Sequence, residues 1–331
     1  MTLKKIAELT GCSVATVSKA FSGSREISEE TAKKIFDLSK KLGCYEKYFK
    51  GFSRTPKIGL LFPETESEYY GKQIGLLEEE ISLRGADTIV GITRFDLERT
   101  ARLFSTFAYG LKVDGIILVG GGKLIKNPDQ LPLVSFHGIE GTENAPNADY
   151  LSIDYKGGID SLVKLIKDYG HTRVGYIGER LTNHKQSCLH EALRKNGLPV
   201  LNKLAYTSQY RFAQAGEDGF AALLKGGPLP DVIVCAYDQI AYGAMSCAKR
   251  LGIKVPEDVS IVGIDDITAN SFIDVPLTSL HIHLEDACKA VVDLLFKRID
   301  NRNYRGRQKI IIPVSVSLRE SLSSKKQNNC K

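Results

Sequence analysis

Over the first 45 residues apolar side chains recur at three- to four-residue spacing, in short stretches separated by small polar residues. Ile6, Ala7 and Leu9 follow Thr2, whose hydroxyl can accept an orphan helix amide, and Gly11 offers the left-handed backbone that ends a helix. The run from Val14 to Phe21 stands directly after Ser13, a second such cap. Ala7, Val17 and Ala20 can close into a small apolar seam between these two helices. That leaves Val14, Ala15, Thr16, Ser18 and Lys19 on the outward end and flank of the second one. Ser28, followed by Glu29 and Glu30, opens a third helix with the stripe Ile35, Phe36, Leu38 and Leu42; Lys40 and Lys41 suit its C-terminal dipole, and Gly43 ends it. The pattern predicts an all-α domain over 1–43. From Cys44 to Lys57 it predicts neither a clear strand nor a strong helix, only a basic linker carrying Tyr45, Tyr48, Phe49 and Phe52.

From Lys57 onward continuous apolar runs alternate with helical patterns. The runs are KIGLLF (57–62), DTIVGI (87–92), DGIILVG (114–120), PLVSF (132–136), TRVGYIG (172–178), DVIVCA (231–236) and VSIVGI (259–264). Helices are predicted around 70–84, 96–110, 158–169, 186–196, 213–225, 238–251 and 284–300. Strands that are apolar on both faces belong to parallel sheets covered by helices on both sides. There are more such units than one sheet ordinarily holds, so the pattern predicts two doubly wound α/β subdomains. Ligands of such folds bind at the carboxyl ends of the strands, here in a cleft between the halves.

Charge gives the first segment a chemistry. Residues 1–57 hold twelve Lys and Arg against six Asp and Glu, whereas the rest of the chain balances at 33 of each. A basic excess confined to a helical hairpin is the electrostatic footprint of phosphate binding, and the hairpin itself has the form of a helix-turn-helix that presents its second helix to a DNA major groove. No apolar run reaches the roughly 18–20 residues of a membrane span, and the N-terminus is charged rather than signal-like, so a cytoplasmic protein without membrane attachment is expected. Seven scattered cysteines with no Cys-x-x-Cys pair point to reduced thiols rather than a disulfide frame or structural zinc.

The N-terminal stretch MTLKKIAELTGCSVATVSKAFSGSREISEETAKKIFDLSKKLG, with YGHTRVGYIG (169–178), CAYDQIAYGAM (235–245), VPEDVSIVGIDD (255–266), PLTSL (276–280) and LRES (318–321) in the same order, resembles the lactose/galactose-repressor family over nearly the whole chain. The resemblance implies a helix-turn-helix headpiece (1–43), a hinge (44–57) and a periplasmic-binding-protein-like core (58–323), with a tail at 324–331. Within that core it implies an N-subdomain of about 58–158 and 284–311 and a C-subdomain of about 159–281 and 312–323. It implies a homodimeric transcription regulator that binds double-stranded operator DNA and a small effector and uses no cofactor; because a bound dimer most simply blocks polymerase, a repressor is expected rather than an activator. Carried over by position, Val14, Ala15 and Lys19 would face base edges, while Ser13, Thr16, Ser18, Ser22 and Gly23 would position phosphates. Lys19 replaces the family's usual Arg, which removes a bidentate fork and softens guanine discrimination. The linker departs from the family by lacking its Tyr-x-Pro-Asn start; Phe49 or Phe52 could supply the minor-groove wedge, or could pack on the headpiece or core instead.

By the same resemblance Tyr69 and Tyr70 replace an aromatic pair that stacks on effector rings, and Lys185 replaces a clamping Arg. Tyr237 stands for a customary Asn, His137 for a frequent Asp, and Asp265 is retained. A carboxylate aimed into a cleft accepts paired hydroxyls well, so a sugar is the first expectation for the effector and a purine or phosphorylated metabolite the second. A protein co-regulator is the remaining alternative. A solute-binding protein on the same core would carry an export signal and no basic headpiece, and a sugar-modifying enzyme would need a catalytic constellation in the cleft. GGGKL (120–124) lacks the first Gly and the hydroxyl of a phosphate loop, and His281 and His283 have no further zinc ligands at sensible spacing, so no enzymatic or metal chemistry is expected.

Overall fold

The computed structural model describes residues 2–22, 24, 26–48, 55–137, 147–301 and 306–325, without the side chains of Glu46 and His137. Two compact units emerge: residues 1–57 with 84–87, and the remainder.

In the first unit α1 (Leu3–Thr10), α2 (Val14–Phe21) and α3 (Glu29–Lys41) start where their caps predict. The hydroxyls of Thr2, Ser13 and Ser28 each accept the amide three residues on, from Lys5, Thr16 and Thr31. Gly11 adopts φ 69°, and its amide closes α1 on the Ala7 carbonyl. Ile6, Ala7, Val17, Ala20, Phe21 and Ile35 form the buried core. The sequence does not announce a fourth element, α4 (Tyr45–Tyr48), which lies inside the stretch predicted to be unstructured linker. Cys44 is buried, and the Tyr45 and Tyr48 rings lie 6.3 and 5.9 Å from Phe21. Residues 44–48 therefore complete the apolar core of the headpiece. Four residues are too few to register as a helical period, and their aromatic rings are what hold them there.

The second unit carries two six-stranded sheets. One, the N-lobe, has the order β11-β5-β4-β3-β1-β2 and is wholly parallel in its described pairings. Its strands are β1 (Lys57–Phe62), β2 (Asp87–Ile92), β3 (Gly115–Val119), β4 (Leu133–His137), β5 (Asp149–Ile153) and β11 (Lys309–Ile312). The other, the C-lobe, has the order β12-β10-β9-β8-β6-β7, with only β12 antiparallel. It comprises β6 (Val174–Glu179), β7 (Ala205–Ser208), β8 (Val232–Cys235), β9 (Ser260–Asp265), β10 (Thr278–Ile282) and β12 (Val314–Ser317). The chain passes from one sheet to the other three times: through α7 (Tyr155–Asp168), through α11 (Leu284–Asp300) and at Pro313. Two α/β subdomains of doubly wound type are what the alternating pattern predicts.

Helices α5 (Glu68–Ser82) and α6 (Leu97–Ser105) flank the N-lobe sheet, and α11 packs on α5 and on β3 to β5. In the C-lobe α8 (Asn183–Lys195) packs on α7, while α9 (Phe212–Lys225) and α10 (Asp238–Arg250) pack closely on each other. Two glycines permit that approach. A Cβ on Gly216 would stand 1.9 Å from the Ile240 carbonyl oxygen, and one on Gly243 the same distance from the Ala213 carbonyl oxygen. Four strands, β5, β7, β10 and β12, lack the continuous apolar runs that mark the others, and β11 has only the short run Ile310 to Ile312, which is not among the predicted strands. In β10, Thr278 and Ser279 are fully buried because their hydroxyls donate to the Arg319 carbonyl (2.9 Å) and to Asp238 (2.6 Å).

Candidate functional site

On the headpiece, the seam that buries Val17 and Ala20 turns the other face of α2 outward. Ser13, Val14, Ala15, Ser18, Lys19 and Ser22 are exposed and Thr16 is half-buried. These seven predicted DNA-facing residues thus share one accessible surface, while Gly23 lies outside the described residues. Ser13 and Thr16 share a hydroxyl hydrogen bond of 2.8 Å. Lys19 is not idle in the absence of DNA: its ammonium pairs with Glu26, whose carboxyl this contact holds below the usual range. Phe49 and Phe52 also lie outside the described residues.

Between the two lobes of the core is a cavity of about 250 Å³. The N-lobe contributes Tyr69, Tyr70, Gln73, Phe95 and Phe136, the C-lobe Glu179, His184, Lys185, Arg211, Tyr237 and Asp265, and Tyr155 opens the crossover helix α7 between them. Strand topology explains the gathering: Glu179 and Asp265 are the last residues of β6 and β9, and Tyr237 directly precedes α10. Of the predicted cleft residues, Tyr69, Tyr70, Lys185, Tyr237 and Asp265 all line the cavity. His137 ends β4, and its side chain lies outside the described residues.

Lys185 is buried rather than solvated. Its ammonium donates to the Ala236 carbonyl at 2.8 Å, lies 3.4 Å from Asp265 Oδ1 and sits 4.6 Å from the centre of the Tyr155 ring. Burial pushes the Asp265 carboxyl up to about 6 despite Lys185, which pulls the other way. Asp265 also adopts φ 110°, a strained backbone for a residue with a side chain. Tyr69 and Tyr70 meet edge to face at 5.3 Å, and Tyr69 shares a phenol hydrogen bond with Tyr155. Burial keeps all three phenols protonated well above their ordinary range. Tyr237 is committed to its own lobe: its hydroxyl accepts the Phe212 amide at 2.9 Å and reaches Glu179 at 3.4 Å.

The sequence-based set misses Gln73, Phe95, Phe136 and Tyr155 as well as three ionisable residues of the lining, Glu179, His184 and Arg211. Arg211 lies 3.3 Å from Glu179 and 3.5 Å from Glu64, and the His184 ring packs edge-on against Tyr155, with burial and then the neighbouring Lys185 lowering its pKa to about 4. Glu179 was open to detection, since it directly follows the predicted run 172–178 at its carboxyl end. Arg211, Glu64 and His184 carry no such signal, because their partners are set by how the two lobes meet.

Comparison with known proteins places both units. Residues 2–45 match the model for bacterial regulatory proteins of the lacI family, and residues 163–322 match the periplasmic binding protein-like domain. The ribose operon repressor of Haemophilus influenzae is 28% identical, across 98% of this chain and 99% of the relative. The HTH-type transcriptional repressor PurR of Pasteurella multocida is 27% identical over the same shares of the two chains. Among solved structures, the lac repressor dimer bound to operator and the anti-inducer ONPF superposes with a TM-score of 0.76 at 20% identity, covering 98% of this chain and 99% of that one, a likeness of fold. Helical headpiece, two-lobed core and full-length relatives agree: the chain belongs to the LacI family of bacterial regulatory proteins, which are DNA-binding transcriptional regulators and not enzymes.

Proposed function

We propose that this chain is an effector-controlled repressor that acts in the cytoplasm as a homodimer, each headpiece reading half of a pseudo-palindromic operator. Ser13, Thr16, Ser18 and Ser22 anchor phosphates, and Val14, Ala15 and Lys19 meet base edges. Exposure of these residues on one face of α2, together with the basic balance of residues 1–57, supports the assignment. The two relatives above, both repressors, support repression.

The effector is a small neutral polyhydroxylated molecule, a sugar in the first instance. One observation carries this choice: both cations of the cleft are already neutralised, Lys185 by Asp265 and Arg211 by Glu64 and Glu179. Each cation is matched by a lining carboxylate, Lys185 by Asp265 and Arg211 by Glu179 with Glu64 behind it, so a phosphorylated metabolite would enter a site with no surplus positive charge among its described residues. Carboxylates suit hydroxyl donors, and the Tyr69 and Tyr70 rings suit the apolar face of a sugar. Isothermal titration of the purified protein against neutral pentoses, hexoses and disaccharides, phosphorylated sugars and nucleobases tests the reading. Heat with a neutral sugar is expected; heat confined to phosphorylated sugars or nucleobases contradicts it.

A further inference from the structure

Arg211 belongs to the C-lobe, yet its guanidinium is received by the N-lobe. It lies 3.5 Å from Glu64 Oε1 and 5.1 Å from the centre of the Phe95 ring, both on N-lobe loops, while from its own lobe Glu179 accepts from its Nε at 3.3 Å and Phe212 covers it at 4.4 Å. Glu64 is prepared for this contact. Its Oε2 is held by the amides of Glu66 and Ser67, and its buried Oε1 accepts no hydrogen bond, so the Arg211 charge is what offsets it. Phe95 is prepared as well: it and Arg94 adopt φ 58° and 57°, consecutive left-handed conformations that cost roughly 1 kcal/mol or more each and persist only where surroundings impose them. Phe212, at φ 57°, is strained in the same way on the opposite side.

The position of this contact gives it a consequence. Outside the 250 Å³ cavity lies an open groove of about 750 Å³ on the N-lobe, and Pro63, Phe95 and Arg211 line both. They are the wall between them. We propose that Arg211 is a gate: seated on Glu64 and Phe95 it latches the lobes closed at the mouth of the cleft, and when it swings away the outer groove opens onto the cavity. A second inter-lobe contact, the Thr268 amide donating to Glu68 at 2.8 Å, leaves closure with partial support when the gate is released. The biological meaning of the gate rests on the cleft being an effector site, but its operation does not depend on which effector enters.

The chain contains no Trp, so Phe136→Trp, at the cavity wall, gives a single emitting reporter of solvent access. Acrylamide quenching is measured on the effector-free, full-length reporter protein and on the same reporter carrying Glu64→Gln, Phe95→Ala or Arg211→Ala. Tyr70→Trp replaces the reporter if Phe136→Trp lowers the melting temperature. Loss of one ion-pair or cation–π partner raises the open-to-closed ratio by about fivefold, so quenching rises in all three backgrounds. Unchanged quenching in either N-lobe variant overturns the gate, because a purely C-lobe packing role for Arg211 would be indifferent to Glu64 and Phe95. The absence of heat in the sugar titrations, by contrast, would count against the effector assignment and leave this readout intact.

Discussion

Phe21→Ala is expected to unfold the headpiece while leaving the core folded. Phe21 is 2% exposed and lies 5.7 to 6.3 Å from the rings of Phe36, Tyr45 and Tyr48, so one side chain ties α2 to both α3 and α4. Truncating a buried Phe costs about 3–5 kcal/mol. A unit of this size, at roughly 0.05–0.15 kcal/mol per residue, has only about 2–7 kcal/mol to lose. The substitution therefore consumes most of the stability of the headpiece, and α4 loses the ring that holds it. Limited proteolysis of the full-length variant should cut first within residues 1–48, duplex affinity measured by fluorescence anisotropy should fall at least about tenfold, and the melting transition of the core should not move. Phe21→Leu, which retains most of the volume, should cost about 1 kcal/mol and keep binding. A Phe21→Ala protein with parental protease resistance and parental affinity would refute the claim that this aromatic cluster holds α2 in place.

Further outcomes are expected from other parts of the molecule. Ser13→Ala should lower headpiece stability by about 1 kcal/mol through loss of the α2 cap, read as a shift in its denaturation midpoint. Gly216→Ala should destabilise the core by about 1–3 kcal/mol in urea unfolding, since its methyl would overlap the Ile240 carbonyl of α10. Because the Asp265 carboxyl is raised to about 6, it protonates as pH falls through that value, and sugar affinity should drop about tenfold from pH 7 to pH 5 in a titration series; a flat profile contradicts its role as hydroxyl acceptor. The same raised value means that this group favours the folded core at low pH and that its contribution is lost as pH rises from about 4 through 6. Asp265→Asn should therefore flatten the dependence of the core melting temperature over that interval.

The headpiece was legible because its determinants are local: a cap, an apolar stripe and a glycine stop each act within a few residues. The parallel strands buried on both faces were legible for the same reason, as unbroken apolar runs. What escaped is what tertiary contact decides. β10 buries Thr278 and Ser279, whose hydroxyls find partners distant in sequence, and α4 exists because Phe21 and Phe36 hold its tyrosines. In the cleft, Asp265 and Lys185 were singled out by the family resemblance rather than by any local pattern. That Lys185 is buried was not legible, because a lysine on a polar helix is ordinarily solvated; here the Asp265 carboxylate, the Ala236 carbonyl and the Tyr155 ring together make burial tolerable. Arg211 and Glu64 became visible only when the lobes met.

Duplex binding as a function of salt tests the central claim most directly. The full-length protein, titrated with fragments from the region upstream of its own gene, should prefer one pseudo-palindromic site and lose about 10³-fold in affinity between 50 and 200 mM salt, as phosphate contacts from the basic headpiece require. Equal, salt-insensitive binding to every fragment, or none at all, would contradict the account.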